Sequence, residues 1–140
     1  MIDEETINEK LESLKEYVGY LKGYQKSSLE QLKTDHTLQG AVRYYFQLAS
    51  ECIIDISEII ISSLGLKRPD TAQESIEVLG AQGILPQEFS IRISKIAGFR
   101  NILVHEYARV DINEVYEHLQ RDLEDFTKFA QLISNWLRGK

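Results

Sequence analysis

Apolar residues recur at spacings of three and four along almost the whole chain, which is the pattern of helices that each bury one face. Three long runs follow it, and no stretch alternates as a strand would. Their apolar positions are Ile7, Leu11, Leu14, Val18 and Leu21; then Leu38, Val42, Tyr45, Ala49, Cys52, Ile56 and Ile59; and finally Ile112, Tyr116, Leu119, Leu123, Phe126, Ala130, Ile133 and Leu137. These runs predict three long amphipathic helices.

Two pairs of polar residues have the spacing of capping boxes, in which the first and fourth residues satisfy each other's backbone donors. They are Ser28 with Gln31 and Thr71 with Glu74, and each predicts the start of a short helix. A fourth long helix follows further along the chain. Long amphipathic helices are best buried against one another. We therefore predict an all-α, antiparallel four-helix bundle with one or two additional short helices, as a single domain over residues 1–140.

The fourth long helix, with Pro86 in its first turn, breaks its own pattern. Its buried phase is expected to run through Phe89, Ile93, Ile96, Arg100 and Leu103. A guanidinium on a buried phase is costly unless it is paired or faces a wet cleft. The other sides of the helix carry Ile91, Phe99, Ile102 and Val104. A monomer would leave part of that apolar surface exposed, which favours a two-fold dimer with this helix near the interface.

Composition narrows the class of protein. The 140 residues are 43% hydrophobic and 27% charged, a globular balance, and no apolar run is long enough to cross a bilayer. The single cysteine and the acidic N-terminus favour a cytoplasmic protein. The net charge of −6 argues against nonspecific coating of nucleic acid. One basic island nevertheless stands out, with Arg92, Lys95, Arg100 and Arg109 opposed only by Glu106.

This island contains the residues best suited to chemistry. Arg100 can hold two phosphate oxygens, and His105 can exchange protons near neutral pH. Asn101 lies four residues before His105, so the two share one helical face. Arg100 lies about 140° around an ideal helix from His105. The helix must therefore end or loosen near His105, or a second copy must complete the cleft.

The segment from Arg100 to Tyr107 resembles the R-x4-H-x-Y form of the R-x4-6-H motif of HEPN domains, typical of HepT-type toxins of bacterial and archaeal toxin–antitoxin pairs. The flanks at 96–99 and 111–112 are similar as well, and the resemblance covers most of the chain. It implies RNA cleavage by a homodimer without a metal or other cofactor. Arg100 would stabilise the scissile phosphate, His105 would act as general acid or base, and Asn101 would support their geometry. The ribose 2′-OH would attack, leaving a 2′,3′-cyclic phosphate.

The same resemblance gives Tyr107 a separate role. In type VII-like pairs a cognate minimal nucleotidyltransferase antitoxin transfers AMP onto this tyrosine. The expected partners are therefore RNA, a second copy of the chain and the antitoxin, with a larger hetero-oligomer as an open alternative. The alternative function is a noncatalytic HEPN binding module that docks a nucleotidyltransferase partner.

Each of these residues also has a purely structural interpretation. Arg100 could pair with a glutamate on a neighbouring helix, His105 could be structural, and Tyr107 could be a packed aromatic. His118 and Asp122 have the spacing of a surface pair. The acidic residues of the second long helix predict a solvated face, or a contribution to the dimer cleft; they are Glu51, Asp55 and Glu58.

Overall fold

The computed structural model describes the backbone of residues 1–140 and every side chain except that of Tyr107. Over these residues the chain forms eight α-helices and one 3₁₀ turn, without a strand. The helices are α1 (Glu4–Tyr24), α2 (Leu29–Thr34), α3 (His36–Ser63), α4 (Ala72–Ala81), α5 (Gln87–Ser94), α6 (Ile96–His105), α7 (Ile112–Arg121) and α8 (Leu123–Arg138), with the 3₁₀ turn (Tyr107–Arg109) between α6 and α7.

The ends of the short helices follow the predicted caps. Ser28 Oγ accepts the N–H of Gln31 at 3.1 Å, and the Gln31 side chain accepts the N–H of Ser28 at 2.8 Å. Thr71 Oγ1 accepts the N–H of Glu74 at 3.1 Å. Each cap satisfies a donor that the first helical turn leaves without a partner, which is worth about 1 kcal/mol. The two predicted short helices, α2 and α4, are therefore confirmed.

The fourth and last long helices were predicted as unbroken, and this is wrong. The fourth is interrupted at Lys95, between α5 and α6, and the last at Asp122, between α7 and α8. At the first break the hydroxyl of Ser94 donates to the carbonyl of Ile91 at 2.8 Å, and the N–H of Lys95 bonds to the carbonyl of Ile93. The Lys95 N–H of a regular helix would bond to the Ile91 carbonyl, so the helical hydrogen bond is replaced at this point. Both break residues keep right-handed helical backbone angles, so the chain continues in the same direction.

The helices pack as the predicted antiparallel bundle of four rods, α1, α3, α5–α6 and α7–α8. Lys10 on α1 pairs with Asp55 on α3 at 3.1 Å, close to where the start of α1 meets the end of α3. All five predicted apolar positions of α1 are buried. The largest fully buried side chains are Phe46, Phe126, Phe129, Ile7, Leu14, Leu21, Leu32, Ile53, Ile56, Ile60, Ile76 and Leu79.

The central rod is α3, which packs against α1, α4, α6, α7 and α8. In the up-and-down bundle α6 runs antiparallel to α3. Going along α6 from Arg100 to His105 therefore leads from beside the middle of α3 towards the N-terminus of α3. None of the described helices combines the length and the apolar character needed to cross a membrane.

Candidate functional site

Arg100 is half-buried on α6 and is held by two neighbours. Its Nη1 donates to Glu51 Oε2 on α3 at 3.5 Å, and its Nε donates to Asn101 Oδ1 at 3.1 Å. The Arg100 side chain keeps 21% of its surface exposed and that of Glu51 keeps 33%. The interpretation of Arg100 as the partner of a glutamate on a neighbouring helix is confirmed. At 3.5 Å this contact is at the long limit of a hydrogen bond, so Glu51 orients the guanidinium without saturating it.

His105 is the last residue of α6, so the helix ends where one of the predicted alternatives placed its end. Its side chain is exposed, and Asn101 is exposed one turn earlier on the same helix. Glu106 caps the C-terminal end of the helix, and its N–H donates to the carbonyl of Ile102 at 2.9 Å. The local structure thus presents an anchored arginine and an accessible imidazole from one short helix.

The backbone of Tyr107 opens the 3₁₀ turn directly after this helix. The predicted role of Tyr107 as AMP acceptor concerns a side chain outside the described residues, so that role stays a prediction.

The basic island predicted from the sequence is divided in space. Arg92 turns to α8, where its Nε and Nη2 bind the two carboxylate oxygens of Asp125 at 3.0 and 3.1 Å. This hydrogen-bonded carboxylate raises the pKa of the Arg92 guanidinium. Arg100 points instead to Glu51 on α3. The two arginines therefore serve different helix contacts and do not form one cationic surface.

The solvated acidic face predicted for α3 is corrected. Glu51, Asp55 and Glu58 are half-buried and pair with Arg100, Lys10 and Arg68 respectively. Glu51 is thus a site residue whose role the sequence did not reveal. Two features of the sequence hinted at this pair. Glu51 shares one face of α3 with Asp55 and Glu58, and Arg100 lies on the buried face of another helix, where it needs a partner.

The predicted pairing of His118 with Asp122 is confirmed, but its predicted place on the surface is corrected. His118 Nδ1 lies 2.6 Å from Asp122 Oδ2, and both side chains are largely covered. The imidazole stacks on Phe99, with ring centroids 3.9 Å apart and planes at 23°. Because Phe99 precedes Arg100 in α6, this pair supports the helix that carries the candidate site.

The fold and this site together define a class. A bundle of antiparallel helices that presents an arginine and a histidine at the end of one helix, before the final rod, is a HEPN-type domain. The family model described as "Ribonuclease HepT-like" matches residues 7–133. The chain belongs to this family of HepT-like ribonucleases.

Two characterised relatives and one solved structure are similar over most of their length. The mRNA nuclease HepT of Shewanella oneidensis is 34% identical over 103 residues, 74% of this chain and 77% of that protein. The tRNA nuclease HepT of Aphanizomenon flos-aquae is 30% identical over 131 residues, 94% of this chain and 89% of that protein. A structure of a tri-AMPylated Shewanella oneidensis HEPN toxin in complex with MNT antitoxin has a TM-score of 0.85 and 30% identity, covering 96% of this chain and 99% of that one.

Proposed function

We propose that this chain is the toxin of a toxin–antitoxin pair and that it cleaves RNA without a metal ion. One observation carries the proposal: a half-buried arginine oriented by Glu51 and Asn101 lies on the same short helix as an exposed terminal histidine. The nuclease names of the relatives and the antitoxin complex of the similar structure support it.

In this mechanism Arg100 binds the scissile phosphate. Its contact with Glu51 is long, so a phosphodiester, whose single negative charge is shared by two non-bridging oxygens, can replace the carboxylate as the partner of the guanidinium fork. The bond from Nε to Asn101 keeps the fork in orientation while that exchange occurs. The cation then stabilises the negative charge that builds up on the non-bridging oxygens of the pentacoordinate transition state.

His105 supplies the proton transfer. The ribose 2′-oxygen attacks the adjacent phosphorus and loses its proton to a base, while the bond from phosphorus to the 5′-oxygen breaks and that oxygen takes up a proton. An imidazole is suited to either transfer. The products are a 2′,3′-cyclic phosphate and a free 5′-hydroxyl. Because the nucleophile belongs to the substrate, the protein needs only to align the substrate and to stabilise the transition state.

We propose that two copies of the chain line one cleft. Ile91 on α5 and Val104 on α6 keep 46% and 36% of their surfaces exposed on the helices beside the site. Val104 directly precedes His105, so a second copy that packed against this end of α6 would cover it. A two-fold arrangement would bring the second motif to the same substrate and offset the wide angle between Arg100 and His105.

The test is incubation of the purified protein with total cellular RNA in EDTA, beside His105→Ala. We expect wild-type cleavage with 2′,3′-cyclic or 3′-phosphate ends and no cleavage above background by the variant, because proton transfer is lost. His105 is exposed, so the variant should retain the wild-type melting temperature. If the RNA stays intact with protein that carries no AMP, the noncatalytic HEPN module that docks a nucleotidyltransferase becomes the better function.

We further propose Tyr107 as the acceptor of AMP from a cognate minimal nucleotidyltransferase. Its support is its position directly after the helix of Arg100 and His105, together with the AMPylated toxin in the similar structure. An AMP group there adds bulk and negative charge beside the phosphate site, which repels RNA.

We expect Tyr107→Phe to remain active on RNA and to escape inhibition, since it lacks the phenolic oxygen that would bond to phosphorus. The measurement is the intact mass after incubation with the nucleotidyltransferase and ATP. Tyr116→Phe, on α7, is the matched control and should still gain AMP. AMP found on the Tyr107→Phe protein would assign the modification to another residue.

A further inference from the structure

A cluster of four tyrosines lies where α1 packs on α3. Tyr45 is at its centre, with ring centroids 6.1 Å from Tyr17, 4.8 Å from Tyr20 and 5.5 Å from Tyr44. The hydroxyl of Tyr20 donates to Glu16 Oε1 at 2.5 Å, which fixes the ring of Tyr20. The cluster is therefore held in shape before any ligand arrives.

The outer ring of the cluster is open to solvent. Tyr44 keeps 55% of its surface exposed and Tyr20 keeps 43%, whereas Tyr45 and Tyr17 are half-buried beneath them. No requirement of the core explains an aromatic ring at position 44, because that ring buries less than half of its surface. An exposed ring supported by another ring is suited to stacking against a planar ligand.

The position of Tyr44 relative to Arg100 suggests what that ligand is. Tyr44 and Glu51 are seven residues apart on α3, so they differ by only about 20° around the helix and by about 10 Å along it. Glu51 is the residue that holds Arg100. Because α6 runs antiparallel to α3, the step from Glu51 to Tyr44 has the same direction as the step from Arg100 to His105. Tyr44 thus lies on the site face of α3, at the end where His105 projects.

We propose that Tyr44, supported by Tyr45, is a stacking subsite for an unpaired base of the RNA whose phosphate is held at Arg100. This inference rests on the proposed function and adds a substrate contact to it. A distance of about 10 Å corresponds to about three stacked nucleotides, or fewer in an extended strand. RNA-binding proteins commonly hold unpaired bases on aromatic rings in this way.

The charges around the cluster agree with a base and not a phosphate at this position. Glu16 is exposed beside Tyr20, and its carboxylate accepts the Tyr20 hydroxyl. Carboxylates repel the RNA backbone but leave the stacking of a neutral base unaffected. The phosphate would therefore lie at Arg100 and the base at Tyr44. Stacking tolerates any base, so the subsite is expected to select unpaired RNA over duplex.

The test uses the His105→Ala protein, which keeps its RNA probe intact, and a short fluorescein-labelled single-stranded RNA of mixed sequence. Adding Tyr44→Ala or Tyr44→Leu is expected to raise the Kd by roughly five- to 150-fold, the range for losing one base stack. Tyr44→Phe and Tyr44→Trp should bind as the parent does, because they keep a ring. Leu64→Ala, an exposed apolar residue at the opposite end of α3, is the control and should change nothing.

An unchanged Kd for Tyr44→Ala would overturn the subsite while leaving the proposed function intact, provided that the wild type cleaves RNA in the same preparation. Light scattering supplies the second measurement. If Tyr44→Ala changes the molar mass of the assembly, the face belongs to a protein interface and the subsite is excluded. If the parent protein does not bind the RNA at all, both the proposed function and this inference fail.

Discussion

Arg100→Ala is expected to lower the rate of RNA cleavage by about 10³-fold or more, which is the range that a transition-state arginine contributes in phosphoryl transfer. The physical reason is the loss of the only cation that α6 directs towards Glu51, where the phosphate is proposed to bind. The measurement is the single-turnover cleavage rate of a defined RNA, so that binding and product release do not hide the chemical step.

Two variants separate this role from a structural one. Arg100→Lys keeps the charge but loses the planar fork, so it is expected to recover only part of the rate. The half-exposed ion pair with Glu51 contributes at most about 1 kcal/mol to stability, so Arg100→Ala should unfold at nearly the wild-type urea concentration. A folded Arg100→Ala protein that cleaves at the wild-type rate would remove Arg100 from the mechanism.

The fold was predictable because the periodicity of the apolar residues is strong. Every apolar position assigned to α1 is buried, and both cap-defined short helices form. The interruptions at Lys95 and Asp122 were not predictable from that periodicity, because the apolar phase continues through both. Local polar contacts lie at both interruptions, the Ser94 hydroxyl on the Ile91 carbonyl at one and the Asp122 carboxylate on His118 at the other, and the apolar periodicity does not reveal either contact.

The candidate site was predictable as a segment but not as a set of contacts. Arg100 stood out because a guanidinium on a buried helix face needs a partner. The wide angle between Arg100 and His105 left open a helix end near His105 or a second copy, and the helix does end at His105. Glu51 did not stand out, because nothing along the chain shows which acidic residue of α3 meets α6. The same holds for Tyr44 and Tyr45, because the sequence does not show that one of two adjacent tyrosines is covered and the other exposed. Contacts of this kind depend on helix rotation in the packed bundle.

Phe46→Ala is expected to lower the free energy of unfolding by about 3–5 kcal/mol, the usual cost of truncating a buried aromatic ring. The Phe46 ring is fully buried, and its centroid lies 5.4 Å from that of Phe99 and 5.3 Å from that of Phe126. It therefore fills the space between α3, α6 and α8, which a methyl group cannot fill. Urea denaturation measures the change, with an unchanged m-value showing that only stability was affected.

Tyr44→Ala supplies the control on the same helix, because its exposed ring contributes little to the core; we expect less than about 1 kcal/mol from it. The contrast between the two positions also tests how the core supports the site. Phe99 meets Phe46 edge to face, stacks on His118 and precedes Arg100 in the chain, so a cavity at Phe46 is expected to loosen the helix that orients the guanidinium. Phe46→Ala should then cleave RNA more slowly even at temperatures where it is folded. A wild-type cleavage rate in folded Phe46→Ala would show that Glu51 and Asn101 suffice to orient Arg100.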